Sequence, residues 1–288
     1  MDDKKLIKRA LRLQSMSAHF LNQTTNKDRI GREQWISTSY GVVRVLEYGF
    51  DSQEVAPLFV NMHAGGFVLG CADMDDGMCD HFNRRTGVKV ISIDYPKAPQ
   101  NPYPSAVNAV YDVVRNYVDN AKNYKIDTNS IGIGGQSAGG NLAAVACIVA
   151  NEHRELSFKY QLLNYPPCDM SIDPLSKPDF GGAASPKMVI MYDICYFEAD
   201  RDKAKSPYIS PMYATEEQLS NLPPTLIIAA GKDSLYEEIV RYSELLKKAG
   251  VNVEFHNFCE AEHGFTYMNN PDSKKAWGIM NDFIKMNI

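Results

Sequence analysis

A serine stands between glycines at the point where a strand pattern changes to a helix pattern. Residues 135–139 read GQSAG around Ser137, after the apolar run IGIG and before the helix-forming run LAAVACIVA. In this context a GxSxG sequence raises the serine hydroxyl on a sharp turn, and small neighbours permit the tight backbone. The helix N-terminus also favours negative charge beside the serine. The pattern predicts Ser137 as a catalytic nucleophile; a glycine-rich phosphate-binding or packing turn is the alternative.

A second glycine-containing segment follows another apolar strand pattern. Residues 63–66 read HAGG directly after LFVNM. Glycines there leave backbone N–H groups free to point inward, as stabilisation of a developing oxyanion requires. We predict that the N–H groups of Gly65, Gly66 and Ala138 form this oxyanion hole. His63 opens the segment and precedes the nucleophile in the chain, so we expect it to brace the loop by hydrogen bonds.

A serine hydroxyl is a weak nucleophile unless a neighbouring base activates it. In proteins with a nucleophile elbow of this kind, the catalytic residues occur along the sequence in the order Ser, acid, His. Three histidines follow Ser137. His153 ends the helix that Ser137 begins, about 24 Å away at 1.5 Å per residue, which excludes it. His256 lies inside the predicted strand 253–258. His263 comes in the loop after that strand, and we predict it to be the base.

The base in turn needs a carboxylate that accepts a hydrogen bond and holds its tautomer. Asp233 comes directly after the run TLIIAAGK, at the C-terminal tip of a predicted strand. Asp169 follows another predicted strand and is the competing position. We predict Asp233 as the acid. Glu237 and Glu238 then begin the next helix, where negative charge is favourable without a catalytic role.

The elements that carry these residues alternate regularly. Apolar, β-branched runs alternate with helical patterns, which is typical of a mainly parallel sheet flanked by helices. The predicted strands are 41–48, 58–62, 89–94, 131–134, 160–164, 225–230 and 253–258, and the predicted helices include 105–124, 138–152, 236–249 and 272–286. The sequence therefore predicts an α/β fold.

Two segments interrupt the alternation. Residues 1–35 contain an amphipathic helix pattern between positions 6 and 13, and residues 171–205 contain a glycine- and proline-rich loop followed by an aromatic, methionine-rich helix. An amphipathic helix buries its apolar stripe against a domain; a position on a membrane surface is the alternative. We predict a cap formed by an N-terminal cap segment, 1–35, and an insertion at about 171–205 in a catalytic domain, 36–288.

The composition argues against several other classes of protein. The chain has 288 residues, 44% hydrophobic and 23% charged, close to the averages of soluble globular proteins. Its formal charge of -5 and its pI of about 5.7 lack the basic character of a nucleic-acid binder. We expect neither a membrane-spanning helix nor a secretory signal, because no apolar run is long enough. Six cysteines without CxxC spacing argue against a metal site and fit reduced thiols in the cytoplasm.

Together these motifs resemble the hormone-sensitive lipase family of α/β-hydrolases, in which a GxSxG elbow is combined with an HGGG-type loop. The matching segments read HAGGF at 63–67, DYPKAP at 94–99, PYPSA at 102–106, GQSAGG at 135–140, SPYISP at 206–211, LPP at 222–224, DSL at 233–235 and HGF at 263–265. The resemblance runs from about residue 40 to 267, with the motifs in the expected order.

The resemblance implies an α/β-hydrolase fold with a helical cap over an acyl pocket, and a catalytic triad of Ser137, Asp233 and His263. It implies the same three oxyanion donors that the residues themselves predict. The sequence departs from the family pattern in three places. Ala64 replaces the first glycine of the loop, Gln136 replaces the usual acidic residue before the nucleophile, and Pro96 replaces a common arginine.

The expected function is hydrolysis of short-chain esters of small molecules through an acyl-enzyme, without a cofactor or metal. We predict that Met188, Met191 and Tyr192 of the cap line the acyl pocket. We expect no nucleic-acid or membrane partner, and the family resemblance suggests a homodimer. Amidase, lactonase or formamidase chemistry on the same triad is an alternative. A non-catalytic ligand-binding homologue is another, which the presence of His263 disfavours.

Overall fold

The fold is that of a computed structural model, which describes residues 2–24 and 29–288, with the backbone alone for residues 18–24. Residue 1 and residues 25–28 belong to the predicted N-terminal cap segment and lie outside the described ranges. Within those ranges, no helix has the length and apolar character needed to cross a membrane.

Eight strands form one sheet in the part of the chain that the structure describes. The strands are β1 (Arg32–Thr38), β2 (Gly41–Tyr48), β3 (Ala56–Met62), β4 (Lys89–Asp94), β5 (Ile126–Gln136), β6 (Tyr160–Asn164), β7 (Thr225–Lys232) and β8 (Val253–Glu262). Their order across the sheet is β1-β2-β4-β3-β5-β6-β7-β8. β2 is antiparallel to both β1 and β4, and the remaining neighbours are parallel.

Helices connect the strands and cover the sheet. They are α1 (Asp3–Thr24), α2 (Asp76–Thr86), α3 (Ser105–Asp119), α4 (Ala121–Tyr124), α5 (Ala138–His153), α6 (Pro186–Phe197), α7 (Glu216–Leu219), α8 (Tyr236–Lys248) and α9 (Pro271–Asn287). α5 packs on β5 and against α3, and α2 packs against α9. The predicted α/β architecture, a mainly parallel sheet flanked by helices, is confirmed.

Burial explains why the central elements form where they do. Every residue of β6 is buried, as are the first six residues of β7. Parallel strands covered on both faces carry such continuous apolar runs. Helix α5 is apolar on nearly all sides, and its residues from Ala138 to Ile148 are all buried. A helix that is apolar all round belongs in the core, so α5 lies fixed behind the serine at its start.

The functional residues predicted from the sequence follow directly on the carboxyl ends of parallel strands. His63 comes after β3, Ser137 after β5, Asp233 after β7 and His263 after β8. Parallel neighbours end at the same edge of a sheet, and open α/β sheets bind their ligands at that edge. The topology therefore brings residues that are up to 200 positions apart to one place.

Some predicted boundaries differ from the structure. β1 was not predicted, and it begins at Arg32, so the end of the predicted segment 1–35 lies in the sheet. Only Ile36 of this edge strand is buried, which leaves no alternating apolar pattern to read. The predicted helix 105–124 is divided at Asn120, whose backbone has φ -107° and ψ 20° and lies outside the helical region.

Candidate active site

Ser137 occupies a strained turn between β5 and α5. Its backbone has φ 53° and ψ -118°, which a non-glycine residue rarely adopts. Its N–H donates to the Asn164 carbonyl of the neighbouring strand at 2.8 Å, and this bond holds the turn. A Cβ at Gly139 would lie 2.0 Å from the Met62 carbonyl oxygen, so α5 can approach β3 this closely only with glycine there. The structure thus has the predicted sharp strand–turn–helix geometry at Ser137.

Three of the predicted residues form a chain of hydrogen bonds. His263 Nδ1 lies 2.6 Å from Asp233 Oδ2, and His263 Nε2 lies 2.9 Å from Ser137 Oγ. A carboxylate can only accept, so Nδ1–H donates to Asp233 and Nε2 is left to accept from the serine hydroxyl. The Asp233 side chain is fully buried, and its other oxygen accepts from the Leu235 N–H at 3.0 Å. This is the arrangement in which an imidazole can take a proton from serine.

The competing residues have other partners. Asp169 pairs with Arg241 at 3.2 Å instead of reaching a histidine. His256 pairs with Glu254 at 2.6 Å on the edge strand β8. His153 ends α5 and packs edge-on against Tyr111. Of these alternatives, none is hydrogen-bonded to Ser137 in the described part of the chain.

The loop after β3 presents the predicted oxyanion donors. Gly65 has φ 134° and Gly66 has φ 60°, conformations that favour glycine. A Cβ at Gly66 would also lie 2.4 Å from the Tyr192 ring. Within the described ranges, the N–H groups of Gly65, Gly66 and Ala138 donate to no protein acceptor. Both glycines line a cleft that also contains Ser137, and Ala138 directly follows that serine in the chain.

His63 is fully buried and holds the start of the same loop. Its Nδ1–H donates to the Ala64 carbonyl at 2.6 Å, and its ring stacks on Tyr95, whose hydroxyl donates to the His63 carbonyl at 2.9 Å. Its Nε2 lies 3.6 Å from Asp94. Burial alone would raise the pKa of Asp94, but the His63 ring and the Lys97 ammonium together hold it below its usual value. His63 therefore makes hydrogen bonds of the kind predicted for it at the start of the loop.

A family profile described as the alpha/beta hydrolase fold matches residues 59–267, well over half of the chain. The chain is 34% identical to Esterase LipI of Mycobacterium tuberculosis over 216 residues, which cover 74% of this chain and 67% of that protein. It is 34% identical to Carboxylic ester hydrolase LipN of the same organism over 236 residues, which cover 78% of this chain and 61% of LipN. The chain belongs to the α/β-hydrolase family of hormone-sensitive-lipase-like proteins.

Solved structures of esterases share the whole fold. An esterase from Pyrobaculum calidifontis has a TM-score of 0.83 at 31% identity, covering 99% of this chain and 93% of that one. The carboxylesterase EstE1, cloned from a metagenomic library, has a TM-score of 0.85 at 25% identity, covering 100% and 98%. The family resemblance read from the sequence is confirmed.

Two clefts of very different size meet at Ser137 in this family member. The narrow cleft has a volume of about 40 Å³, and the wide cleft has about 700 Å³. Ser137, His263, Gly66 and Tyr192 line both. Because the Tyr192 ring lies directly over Gly66, it forms part of the wall between the two clefts.

Of the three cap residues predicted to line the pocket, the structure places only Tyr192 in the cleft walls. Met191 is fully buried, and Met188 Sδ lies 3.9 Å from the Arg9 guanidinium of α1. Val189 lines the narrow cleft instead. Positions three apart share a helix face, and α6 turns the face with Met188 and Met191 to α1 and the core, so neither of these two clefts is lined by them as predicted.

Other cleft residues were not predicted. Met170 and Ile172, in the loop after β6, line the narrow cleft, and Leu13 and Met16 of α1 line the wide one. The apolar stripe that contains Leu13 was visible in the sequence, but periodicity alone does not say that a stripe faces a ligand.

Charged groups form part of the wall of the narrow cleft. Lys177 and Asp193 both line it, paired with the buried Glu238 and with Arg201 respectively. Burial raises the pKa of Asp193 to about 6, although the Arg201 guanidinium opposes the shift. A long apolar group in this cleft would contact these ion pairs and remove water from them, which is unfavourable. Among the described residues, no cluster of three or more His, Cys, Asp or Glu side chains is arranged to hold a metal ion.

Proposed function

We propose that the chain is a serine carboxylesterase that hydrolyses esters with short acyl groups. The hydrogen-bond chain from Asp233 through His263 to Ser137, at the junction of the two clefts, carries this proposal. The names of the similar proteins, esterase and carboxylic ester hydrolase, support it. Because the aligned segment spans only 61% of LipN and 67% of LipI, the activity of the whole chain is part of the proposal.

The proposed mechanism is acyl transfer in two steps. Ser137 Oγ attacks the ester carbonyl while His263 Nε2 takes its proton. The carbonyl oxygen becomes an oxyanion against the N–H groups of Gly65, Gly66 and Ala138. The imidazolium returns the proton to the departing alcohol. Water, activated by the same imidazole, then attacks the acyl-enzyme and releases the acid and the free serine.

The two clefts are proposed to hold the two halves of the ester. The alcohol leaves first and water enters afterwards, so the alcohol half needs an open route past the base. The wide cleft provides one, beside His263, Gly264 and Tyr267. The acyl group stays bound to Ser137 and fits the narrower, more enclosed cleft. Residues 171–205 and α1 are proposed to form the cap, since α6 packs against α1.

Activity is expected to be greatest for acetyl to butyryl esters. Each methylene that fits a pocket contributes about 0.8 kcal/mol, and we expect the gain to end where the acyl chain reaches the ion-paired Lys177 and Asp193 in the wall of the narrow cleft. The measurement is kcat/KM for p-nitrophenyl esters with acyl chains of two to sixteen carbons. Absence of turnover with every ester contradicts the proposed function. A maximum at ten carbons or more, or a jump in rate above the critical micelle concentration, would indicate a lipase instead.

Two methionine variants locate the acyl site. Met170→Ala enlarges the narrow cleft and is expected to move the optimum to longer acyl chains, while Met74→Ala enlarges the wide cleft and leaves the acyl optimum in place. With acetyl esters of alcohols of increasing size, we expect Met74→Ala, and not Met170→Ala, to shift the optimum of kcat/KM to larger alcohols. The opposite pattern would assign the acyl group to the wide cleft.

A further inference from the structure

Asp75 is a fully buried carboxylate that the proposed mechanism does not use. It accepts hydrogen bonds from Asn61 Nδ2 and from the Tyr267 hydroxyl, both at 2.7 Å. In the described ranges no lysine or arginine is among the groups that favour its charged form, and His63 is the basic side chain that does so. Burial raises the pKa of Asp75, while the hydrogen bonds from Asn61 and Tyr267 favour its charged form. A buried carboxylate without a cation is costly, so its position next to the catalytic loops calls for a role.

Tyr267 connects this carboxylate to the oxyanion loop. It comes four residues after His263, in the short turn that follows the base, and it lines the wide cleft. Its hydroxyl donates to Asp75 and accepts the Ala64 N–H at 3.3 Å. Tyr267 is exposed as a whole residue, but desolvation of its hydroxyl, together with the nearby Asp75, raises the pKa of Tyr267 and keeps the hydroxyl protonated. Donation to a carboxylate polarises the hydroxyl and strengthens it as an acceptor for the Ala64 N–H.

Asn61 connects the same carboxylate to the nucleophile elbow. Its side-chain oxygen accepts from Gln136 Nε2 at 3.2 Å, and Gln136 directly precedes Ser137. A glutamine can donate to this network. An acidic residue at that position would instead bring a second negative charge towards Asp75, which like-charge repulsion disfavours. The glutamine that departs from the family pattern therefore fits the presence of Asp75.

We propose that Asp75 and Tyr267 are positioning residues that hold the oxyanion loop in register with the serine and the histidine. Together with Asn61 and Gln136 they join the loop after β3, the elbow after β5 and the turn after β8 by hydrogen bonds. The inference rests on the proposed esterase function, because an oxyanion loop needs a reaction that forms an oxyanion. Ala64 lies one residue before Gly65, so the Tyr267 contact fixes the peptide that leads into the donors.

Tyr267→Phe removes only the hydroxyl and is the decisive variant. We expect kcat to fall by about tenfold to a hundredfold, since a displacement of about 1 Å at a reacting centre costs on the order of 10²-fold, while KM changes little. Tyr213→Phe is the matched control: Tyr213 is 39% exposed against 38% for Tyr267, its hydroxyl bonds to Ser171, and neither Tyr213 nor Ser171 lines either cleft. The control is expected to keep the wild-type kcat and KM.

A trifluoromethyl ketone separates positioning from a general loss of packing. Ser137 Oγ adds to the ketone carbon, His263 takes the proton, and the ketone oxygen becomes an oxyanion in the loop. The inhibition constant of this ketone is expected to rise in Tyr267→Phe by about the same factor as kcat falls, with the melting temperature close to that of Tyr213→Phe. Asp75→Asn is expected to act in the same direction and to add little to Tyr267→Phe in the double variant.

Each outcome decides a different question. If the wild type turns over esters and Tyr267→Phe keeps its kcat, the positioning role is wrong and the proposed function stands. A fall in kcat without a change in ketone affinity also overturns the positioning role. If the wild type hydrolyses no ester, the proposed function itself is wrong. Should Asp75→Asn fail to fold, the comparison of Tyr267→Phe with Tyr213→Phe still gives the answer.

Discussion

Replacement of Ser137 by alanine is expected to lower kcat for p-nitrophenyl acetate by about 10⁶-fold, the scale of loss seen when a serine hydrolase loses its nucleophile. The variant removes the only hydroxyl bonded to His263 Nε2 in the described structure. Without Oγ no acyl-enzyme forms, and what remains is binding and oxyanion stabilisation of a direct attack by water. The measurement is the steady-state rate per mole of purified protein. For the wild type, the concentration of active sites is determined as well, so that the rate can be expressed as kcat.

A buried serine elsewhere provides the control for this variant. Ser243 lies in α8, is buried, and donates its hydroxyl to the Val240 carbonyl at 2.8 Å, far from any group used in the mechanism. Ser243→Ala is expected to keep the wild-type rate. Full activity in Ser137→Ala, with both variants folded by circular dichroism, would end the serine-hydrolase account.

Replacement of Asp233 by asparagine is expected to lower kcat by on the order of 10³–10⁴-fold, by analogy with the corresponding change in a serine protease. The carboxylate accepts from His263 Nδ1–H at 2.6 Å and from the Leu235 N–H at 3.0 Å. An asparagine that keeps the Leu235 bond presents its amide N–H groups to Nδ1, which favours the tautomer with the proton on Nε2. That imidazole cannot accept the serine proton.

Asp169→Asn is the matched control, because Asp169 is also a buried aspartate just beyond a strand end. Its partners are Arg241 and Ser171, so its loss disturbs an ion pair and leaves the base untouched. We expect a far smaller fall in kcat than for Asp233→Asn. Reversed losses in two folded variants would place the acid after β6 and remove Asp233 from the mechanism.

The residues that follow strand ends were predictable because the relevant signals are local. An apolar run marks a parallel strand, and polar residues just beyond its end lie at the edge where ligands bind, which is the basis of the prediction for Asp233. His263 is predicted because it follows a strand, whereas His153 ends a helix and His256 lies inside a strand. Ser137 and the glycines of the β3 loop carry motifs that depend on backbone geometry and so survive in the sequence itself. The predicted α/β fold rests on the same alternation of runs.

Other features depend on contacts that no local pattern encodes. The apolar residues of α6 occur on every side of the helix, so the sequence gives no reason to prefer Val189 over Met188 as a cleft residue. β1 is an exposed edge strand held by its pairing with β2, and its own residues show no strand pattern. Asp75 and Tyr267 are 192 positions apart and meet only because β3 and β8 end at the same edge of the sheet.

Labelling by an organophosphonate tests the central claim most directly. A fluorophosphonate transfers its phosphonyl group to the serine oxygen, loses fluoride, and needs both the base and the oxyanion donors at the reacting hydroxyl. Intact-mass analysis followed by peptide mapping is expected to show one adduct per chain, on Ser137, with loss of esterase activity in proportion to labelling. An adduct on another residue, or full activity in fully labelled protein, would contradict the assignment of Ser137 as the nucleophile.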